Sequence, residues 1–129
     1  MIILFVEDDP MNRRVVRDML QVVGAEMSEA PDAETGLRMI DEKPYTVVLM
    51  DIRMPGMDGL TAIRKIRSES VSSADVPVIV VTADIAPDLK ARCFDAGADD
   101  VILKPVAMGD LIGSIGRILA KTQDDLVLH

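Results

Sequence analysis

Four short runs of apolar residues, separated by longer stretches with helical spacing, constrain the fold of this chain most strongly. The runs lie at residues 2–6, 46–50, 78–81 and 101–103, and a weaker candidate lies at residues 26–28. Each of the four is continuous and rich in β-branched residues, which is typical of strands that are covered on both faces of a parallel sheet. The runs are therefore predicted to be strands of one sheet.

Apolar residues at spacings of three and four predict a helix in each gap between the strands and another after the last strand. The first helix begins near Pro10 and ends at Gly24. The fourth is predicted to turn Leu89, Cys93 and Phe94 inward. Strand and helix alternate five times, so the predicted fold is α/β, a doubly wound (βα)5 arrangement around a five-stranded parallel sheet.

The length and composition fit one ordinary domain. The chain has 129 residues, of which 49% are hydrophobic and 28% charged, and both the size and the usage are those of a single globular unit. Residues 68–75 are polar and small and are predicted to form a loop. We expect residues 1–122 to form the domain and residues 123–129 to form a C-terminal tail.

Charge and apolar patterning exclude several classes of function. Lys and Arg number 14 against 22 Asp and Glu, a net charge of −8, so phosphate backbones repel the chain and direct nucleic-acid binding is disfavoured. The longest apolar runs fall far short of the ~20 residues that cross a bilayer, and the N-terminal run is too short for a signal peptide. The single cysteine, Cys93, excludes an internal disulfide. We expect a cytoplasmic protein without a direct nucleic-acid or membrane partner.

Polar side chains stand where four of the predicted strands end. They are Glu7, Asp8 and Asp9 after the first, Asp51 after the third, Thr82 after the fourth, and Lys104 with Pro105 after the fifth. In an open α/β sheet, ligands bind outside the carboxyl ends of the strands, so these side chains are predicted to converge. Clustered carboxylates repel one another unless a cation lies among them. Oxygen ligands in an open site favour Mg²⁺.

Several of these residues also have an ordinary structural interpretation. Asp9 precedes Pro10, and Asp58 precedes Gly59, so each fits the N-cap of a helix better than a ligand. A single lysine at a strand end is usually only solvated. The combination at four strand ends is the unusual feature, and it is this combination that predicts a site.

Four segments carry a resemblance to a known family. They are residues 3–9 (ILFVEDD), 48–59 (VLMDIRMPGMDG), 80–83 (VVTA) and 96–105 (AGADDVILKP). In these segments the chain resembles a receiver domain of two-component response regulators, and the resemblance extends over about residues 2–120. It implies a flavodoxin-like sheet with strand order 2-1-3-4-5.

The resemblance implies a Mg²⁺ site at the acidic residues. Asp8 would bind Mg²⁺ directly and Glu7 would bind it through water. Asp51 and the backbone carbonyl of Arg53 would complete the protein ligands.

The same resemblance implies a phosphorylation site. Asp51 would accept the phosphoryl group, Thr82 and Lys104 would contact the phosphoryl oxygens, and the Lys104–Pro105 bond would be cis. The only histidine, His129, lies in the predicted tail, so a histidine kinase or a histidine phosphotransfer protein would supply the phosphoryl group.

Positions around this site point to docking and to regulation. The donor is predicted to dock on the first helix, on an exposed face that carries Asn12, Arg13 and Arg17, and a merely solvated face explains the two arginines equally well. Val101 stands where family members usually carry the aromatic switch residue, and we expect it only to repack when Thr82 moves. Arg53 and Asp84 are predicted to pair across the mouth of the site and to hinder water.

Three functions compete at this stage. The first is a phosphorylation switch that signals by protein contact and turns over only its own phosphoryl group, rather than an enzyme. The second is a phosphorylation-independent interaction module, against which the intact Asp8, Asp51, Thr82 and Lys104 argue. The third is an aspartyl-nucleophile phosphatase, which would need a carboxylate where Arg53 stands, and Arg cannot give up its proton. Met1 directly before the first strand favours a free-standing regulator over a receiver excised from a hybrid kinase.

Overall fold

Strands and helices alternate along the whole described chain. The computed structural model describes residues 1–69 and 74–127. The elements are β1 (Ile2–Val6), α1 (Pro10–Val22), β2 (Glu26–Ala30), α2 (Ala33–Glu42), β3 (Val47–Asp51), α3 (Gly59–Glu69), β4 (Val78–Thr82), α4 (Leu89–Ala96), β5 (Asp100–Leu103) and α5 (Met108–Val127). The predicted (βα)5 arrangement is confirmed.

The strands form one parallel sheet in the order β2-β1-β3-β4-β5. The register places Val6 beside Met50 and Asp51 beside Val81. Strands β1, β3 and β4 therefore end at nearly the same level, and the residues that follow them share one edge. The order implied by the family resemblance is confirmed.

Alternate residues of each strand feed two separate cores, because successive side chains of a strand point to opposite faces. Leu4 and Val6 pack with the buried residues of α2, α3 and α4 on one face. Ile3 and Phe5 pack with those of α1 and α5 on the other. Both faces of the central strands are covered, which explains why their sequences are apolar without alternation.

The predicted helix caps are present. The Asp9 side chain accepts a hydrogen bond from the Met11 amide at 2.9 Å, and that of Asp58 accepts one from the Thr61 amide at 2.8 Å. Both residues thus fill the structural role that the sequence favoured for them. Within the described elements no helix has the length and apolar character needed to span a membrane.

Three details differ from the sequence-based expectation. Strand β2 extends to Ala30, two residues beyond the predicted range. Phe94 is exposed rather than inward, because Leu89, Cys93 and Ala96 occupy the buried stripe of α4. Helix α5 continues to Val127, so residues 123–127 of the predicted tail are helical, since no Gly or Pro follows Gly116 to end the helix.

The structure covers only part of the predicted loop and of the predicted C-terminal tail. In the predicted loop at 68–75, the first two residues still belong to α3, and residues 70–73 lie outside the described chain. The predicted tail residues 128–129, including His129, also lie outside it.

Candidate functional site

The residues that were predicted to converge do so at the carboxyl edge of the sheet. Glu7 and Asp8 directly follow β1, Asp51 is the last residue of β3, Thr82 is the last of β4, and Lys104 directly follows β5. Three of these side chains, those of Glu7, Asp51 and Thr82, are buried. Asp8 is exposed at the rim of the site.

Three carboxylates lie close together in this edge. One oxygen from each of Glu7, Asp8 and Asp51 can be chosen so that all three lie within 4.8 Å of one another. Because β1 ends at Val6, the alternation of a strand no longer forces Glu7 and Asp8 to opposite faces. Asp9 caps α1 instead of joining the group.

Lys104 is the cation inside this carboxylate cluster. Its Nζ lies 2.7 Å from Glu7 Oε1 and 3.5 Å from Asp51 Oδ2. The Lys104–Pro105 peptide bond is cis, as the resemblance implied. The ammonium group therefore bridges the two buried carboxylates.

The pKa values of the two buried carboxyl groups, Glu7 and Asp51, are shifted in opposite directions by their surroundings. Burial, together with the neighbouring Glu7, raises the pKa of Asp51 to about 7 from 3.8. Burial also raises the pKa of Glu7, but hydrogen bonds with Asp51, Lys104 and Asn12 outweigh it and lower this pKa to about 2. The pair thus holds its last proton on Asp51 until near neutral pH, and an added cation would favour its release.

Thr82 and Asp84 form the turn that leaves β4. The Thr82 hydroxyl oxygen accepts a hydrogen bond from the Asp84 amide at 3.0 Å. The predicted pair of Arg53 and Asp84 is present, with Arg53 Nη2 at 2.7 Å from Asp84 Oδ2. The hydrogen bond from Arg53 lowers the pKa of Asp84, and Arg53 itself is largely exposed.

Val101 lies in β5 beside Val80 of β4. It is half-buried and packs against the core cluster that contains Val80 and Leu89. The position where the resemblance leads us to expect an aromatic residue is therefore filled by a small apolar side chain within the packed face of the sheet.

The prediction that Asn12, Arg13 and Arg17 lie on an exposed face of α1 is wrong, since all three are half-buried. Asn12 and Arg13 are half-buried and turn toward the sheet, where Asn12 Nδ2 donates to Glu7 Oε1 at 2.8 Å and Arg13 Nη1 donates to the Glu7 carbonyl at 2.6 Å. Arg17 pairs with Glu29 of β2. Asn12 and Arg13, in the first turn of α1, therefore contact Glu7 at the site, because only two residues separate Glu7 from the start of the helix.

Asn12 is the site neighbour that sequence reasoning missed. The available signal was an amide side chain in the first turn of the helix that follows the acidic residues. The outward face of α1 mixes charged and apolar residues: Arg14 and Asp18 are exposed, and so are Met11, Val15 and Val22, by 65%, 43% and 72%.

The donor set suits a hard divalent cation. Carboxylate oxygens are the ligands that Mg²⁺ takes in proteins, usually one or two of them with several waters. Glu7, Asp8 and Asp51 offer three such groups, and the exposed side of Asp8 leaves room for water. The residues present therefore fit Mg²⁺.

Comparison with known proteins identifies the family of the chain. The family model of the response regulator receiver domain matches residues 3–116. The sensor histidine kinase RcsC of Salmonella typhi is 35% identical over 111 residues, which cover 86% of this chain and 11% of that protein. The response regulator MprA of Mycobacterium leprae is 34% identical over 123 residues, 95% of this chain and 53% of that protein. The chain thus spans between about a tenth and about half of these relatives.

Solved structures agree with this match. The receiver domain of the sensor histidine kinase PA1611 from Pseudomonas aeruginosa PAO1, with magnesium coordinated in its active-site cleft, has a TM-score of 0.82 and 33% identity, covering 90% of this chain and 94% of that one. A CheY-like receiver domain protein from Methanospirillum hungatei JF-1 has a TM-score of 0.87 and 28% identity, covering 96% and 97%. Sequence, sheet order and site geometry lead to one assignment: the chain belongs to the response regulator receiver domains of two-component systems.

Proposed function

We propose that Asp51 accepts a phosphoryl group from a phosphohistidine donor. A carboxylate oxygen of Asp51 would attack the phosphorus atom, and the P–N bond to the donor would break. The imidazole would leave with the electron pair and take up a proton, and Asp51 would become an acyl phosphate. Such covalent intermediates on a carboxylate are a known type.

One observation carries this proposal. A buried carboxylate at the end of a central strand has a lysine ammonium 3.5 Å away and two further carboxylates beside it. Phosphoryl transfer depends on positioning and on charge neutralisation more than on acid–base chemistry. This arrangement offers a nucleophile, a fixed cation and a place for a second cation within one edge.

The acidic residues would hold Mg²⁺ in the roles that the family implies. Asp8 and Asp51 would be direct ligands, Glu7 would act through water, and the backbone carbonyl of Arg53 would complete the set. The bound ion would neutralise charge on the nucleophile and on the transferred group.

Thr82 and Lys104 would hold the phosphoryl oxygens. An attached phosphoryl group carries a charge of about −1.5 to −2, which Mg²⁺ and the Lys104 ammonium together balance. Lys suits this task as a compact point charge on a flexible stem. Thr82 would exchange its contact with the Asp84 amide for one with a phosphoryl oxygen.

The donor is proposed to be a histidine kinase or a histidine phosphotransfer protein. Met11 and Val15 are exposed on the first turns of α1, which follow the acidic residues of the site, and they offer apolar anchors for a partner helix. Residues 1–122 would form the receiver domain, and α5 continues beyond them to Val127. The phosphorylated form would then signal to a downstream protein by contact, and the chain would turn over only its own phosphoryl group.

Transfer of label from a phosphohistidine protein tests the donor. A phosphotransfer domain labelled on histidine with ³²P is mixed with the chain and Mg²⁺, and with its Asp51→Asn variant. We expect the label to move to the chain and to be released from it by hydroxylamine, which cleaves acyl phosphates. When Asp51 is replaced, the label should remain on the donor. Label that moves equally to the variant would contradict the assignment of Asp51.

A further inference from the structure

Glu7 is the most deeply buried charge in the site. Its side chain has no exposed surface, and its carboxylate lies 2.7 Å from the Lys104 ammonium. A buried carboxylate is stable only when its oxygens receive hydrogen bonds. The donors to Glu7 therefore decide how this carboxylate is oriented.

The two oxygens of Glu7 have different sets of donors. Oε1 accepts from Lys104 Nζ at 2.7 Å and from Asn12 Nδ2 at 2.8 Å. Oε2 accepts from the Asp8 amide at 3.1 Å. Each carboxylate oxygen has about two lone-pair sites, so Lys104 and Asn12 saturate Oε1, and Oε2 is the oxygen through which Glu7 can reach a cation or its water.

Asn12 and Lys104 hold Oε1 in different ways. The Lys104 ammonium is on a flexible stem and is shared with Asp51. Asn12 belongs to the first turn of α1, whose start is fixed by the Asp9 cap, and the next residue, Arg13, donates to the Glu7 carbonyl at 2.6 Å. The amide is therefore held in place even when the ammonium moves.

We propose that Asn12 is a positioning residue for the divalent cation, a role that rests on the proposed function of the site. By holding Oε1 it keeps Oε2 of Glu7 turned toward the cation or its water. It does so independently of Lys104, so the carboxylate keeps its orientation when the lysine turns to a phosphoryl group.

Binding of Mn²⁺ alone tests this role without any measurement of phosphorylation. Free Mn²⁺ is counted by electron paramagnetic resonance at fixed pH and ionic strength, for the unsubstituted protein and for Asn12→Leu, which is similar in size but cannot donate. Partners that orient metal ligands typically change metal affinity by 10- to 100-fold, so we expect Kd to rise about 10-fold. The matched control is Gln21→Leu, which replaces an exposed amide of the same helix and should leave Kd unchanged.

Combining Asn12→Leu with a second substitution, Glu7→Ala or Lys104→Met, shows through which residue Asn12 acts. In Glu7→Ala, Asp8 and Asp51 still offer carboxylates, and Asn12→Leu should cause no additional rise in Kd. In Lys104→Met, Asn12→Leu should still weaken binding, because the amide is then the remaining side-chain donor to Oε1.

Each outcome decides between the proposals. An equal Kd for Asn12→Leu and the unsubstituted protein would overturn the role of Asn12 and leave the cation site standing. A penalty that persists in Glu7→Ala would also overturn it, since Asn12 would then act elsewhere. Failure of the unsubstituted protein to bind Mn²⁺ would overturn both this role and the proposed cation site.

Discussion

Asp51 is a carboxylate whose surroundings resist its ionisation. Burial and the adjacent Glu7 raise its pKa to about 7, whereas its value in the unfolded chain is near 3.8. Between these values the folded protein binds more protons than the unfolded protein, so the cation-free fold loses stability as the pH rises. Glu7 has the opposite shift, and its contribution is lost only as the pH falls toward 2.

This electrostatic cost predicts the behaviour of Asp51→Asn. Without divalent cations the variant should be more stable than the unsubstituted protein. The difference in free energy of unfolding should grow between pH 5 and pH 7 at up to about 1.4 kcal/mol per pH unit. Urea titrations with a chelator at several pH values measure this difference, and saturating Mg²⁺ should shrink it. A difference that does not change with pH would contradict the account.

Arg53 and Asp84 form an ion pair at the mouth of the site. Arg53 Nη2 lies 2.7 Å from Asp84 Oδ2, but the arginine is 76% exposed, so the pair adds little to stability. Its proposed role is to hinder water from reaching the acyl phosphate.

The Arg53→Ala variant tests this role. We expect its acyl phosphate to hydrolyse severalfold faster, because water reaches the phosphorus atom more easily, while its unfolding curve stays nearly unchanged. The loss of phosphate is followed after removal of the phosphodonor. Arg117→Ala is the control, since Arg117 is similarly exposed and pairs with Asp100 at the start of β5, the end of that strand remote from the site. An unchanged rate in Arg53→Ala would refute the shielding role.

At the scale of the elements, Gly59 fixes the approach of α3 to the site. A Cβ atom at this position would overlap the Asp51 carbonyl oxygen and lie 2.8 Å from Ile52 Cα. The Gly59 amide donates to the Ile52 carbonyl at 2.9 Å. The start of α3 can thus lie against the end of β3 only because residue 59 has no side chain.

Gly59→Ala should therefore disturb the end of β3. We expect a loss of about 1–3 kcal/mol in the free energy of unfolding, as is usual for overpacking, together with weaker Mn²⁺ binding because the Asp51 backbone moves. Gly109→Ala in α5 is the matched control, since a Cβ there meets nothing within 4 Å. The control should be neutral or slightly more stable. Equal effects of the two substitutions would argue against the close approach.

The elements were predictable where a local pattern decides them. Continuous β-branched runs identified the central strands, since these strands are buried on both faces. Strand β2 was harder to predict, because it is an edge strand and its sequence, EMSEA, has only one fully buried residue. The contact of Asn12 with Glu7 could not be predicted, because it depends on how the chain turns between β1 and α1.

At the scale of the whole molecule, alternation of strands and helices predicts a parallel sheet but does not determine the order of its strands. The order β2-β1-β3-β4-β5 was implied by the family resemblance. It matters for function because β1 and β3 become neighbours, which brings Glu7 and Asp8 beside Asp51. The carboxyl edge of the sheet thus brings together site residues from the ends of four strands that are distant in sequence.

A response of the whole domain to phosphorylation is expected despite the missing aromatic residue at 101. Thr82 would be drawn to the phosphoryl group and would pull the turn that contains Asp84, while Val101 repacks. Amide NMR signals of residues 83–110 should therefore shift when the protein is phosphorylated with Mg²⁺, and should not shift in Asp51→Asn. Signals that stay in place in the phosphorylated protein would show that the switch follows another path.

The central claim is that Asp51 is a phospho-acceptor that works with a divalent cation. The most direct measurement is the intact mass of the protein after incubation with a small-molecule phosphodonor, with and without Mg²⁺, beside Asp51→Asn. The account predicts one added phosphoryl group that requires Mg²⁺ and is absent from the variant. An unmodified mass under all conditions would contradict it and would favour a phosphorylation-independent interaction module.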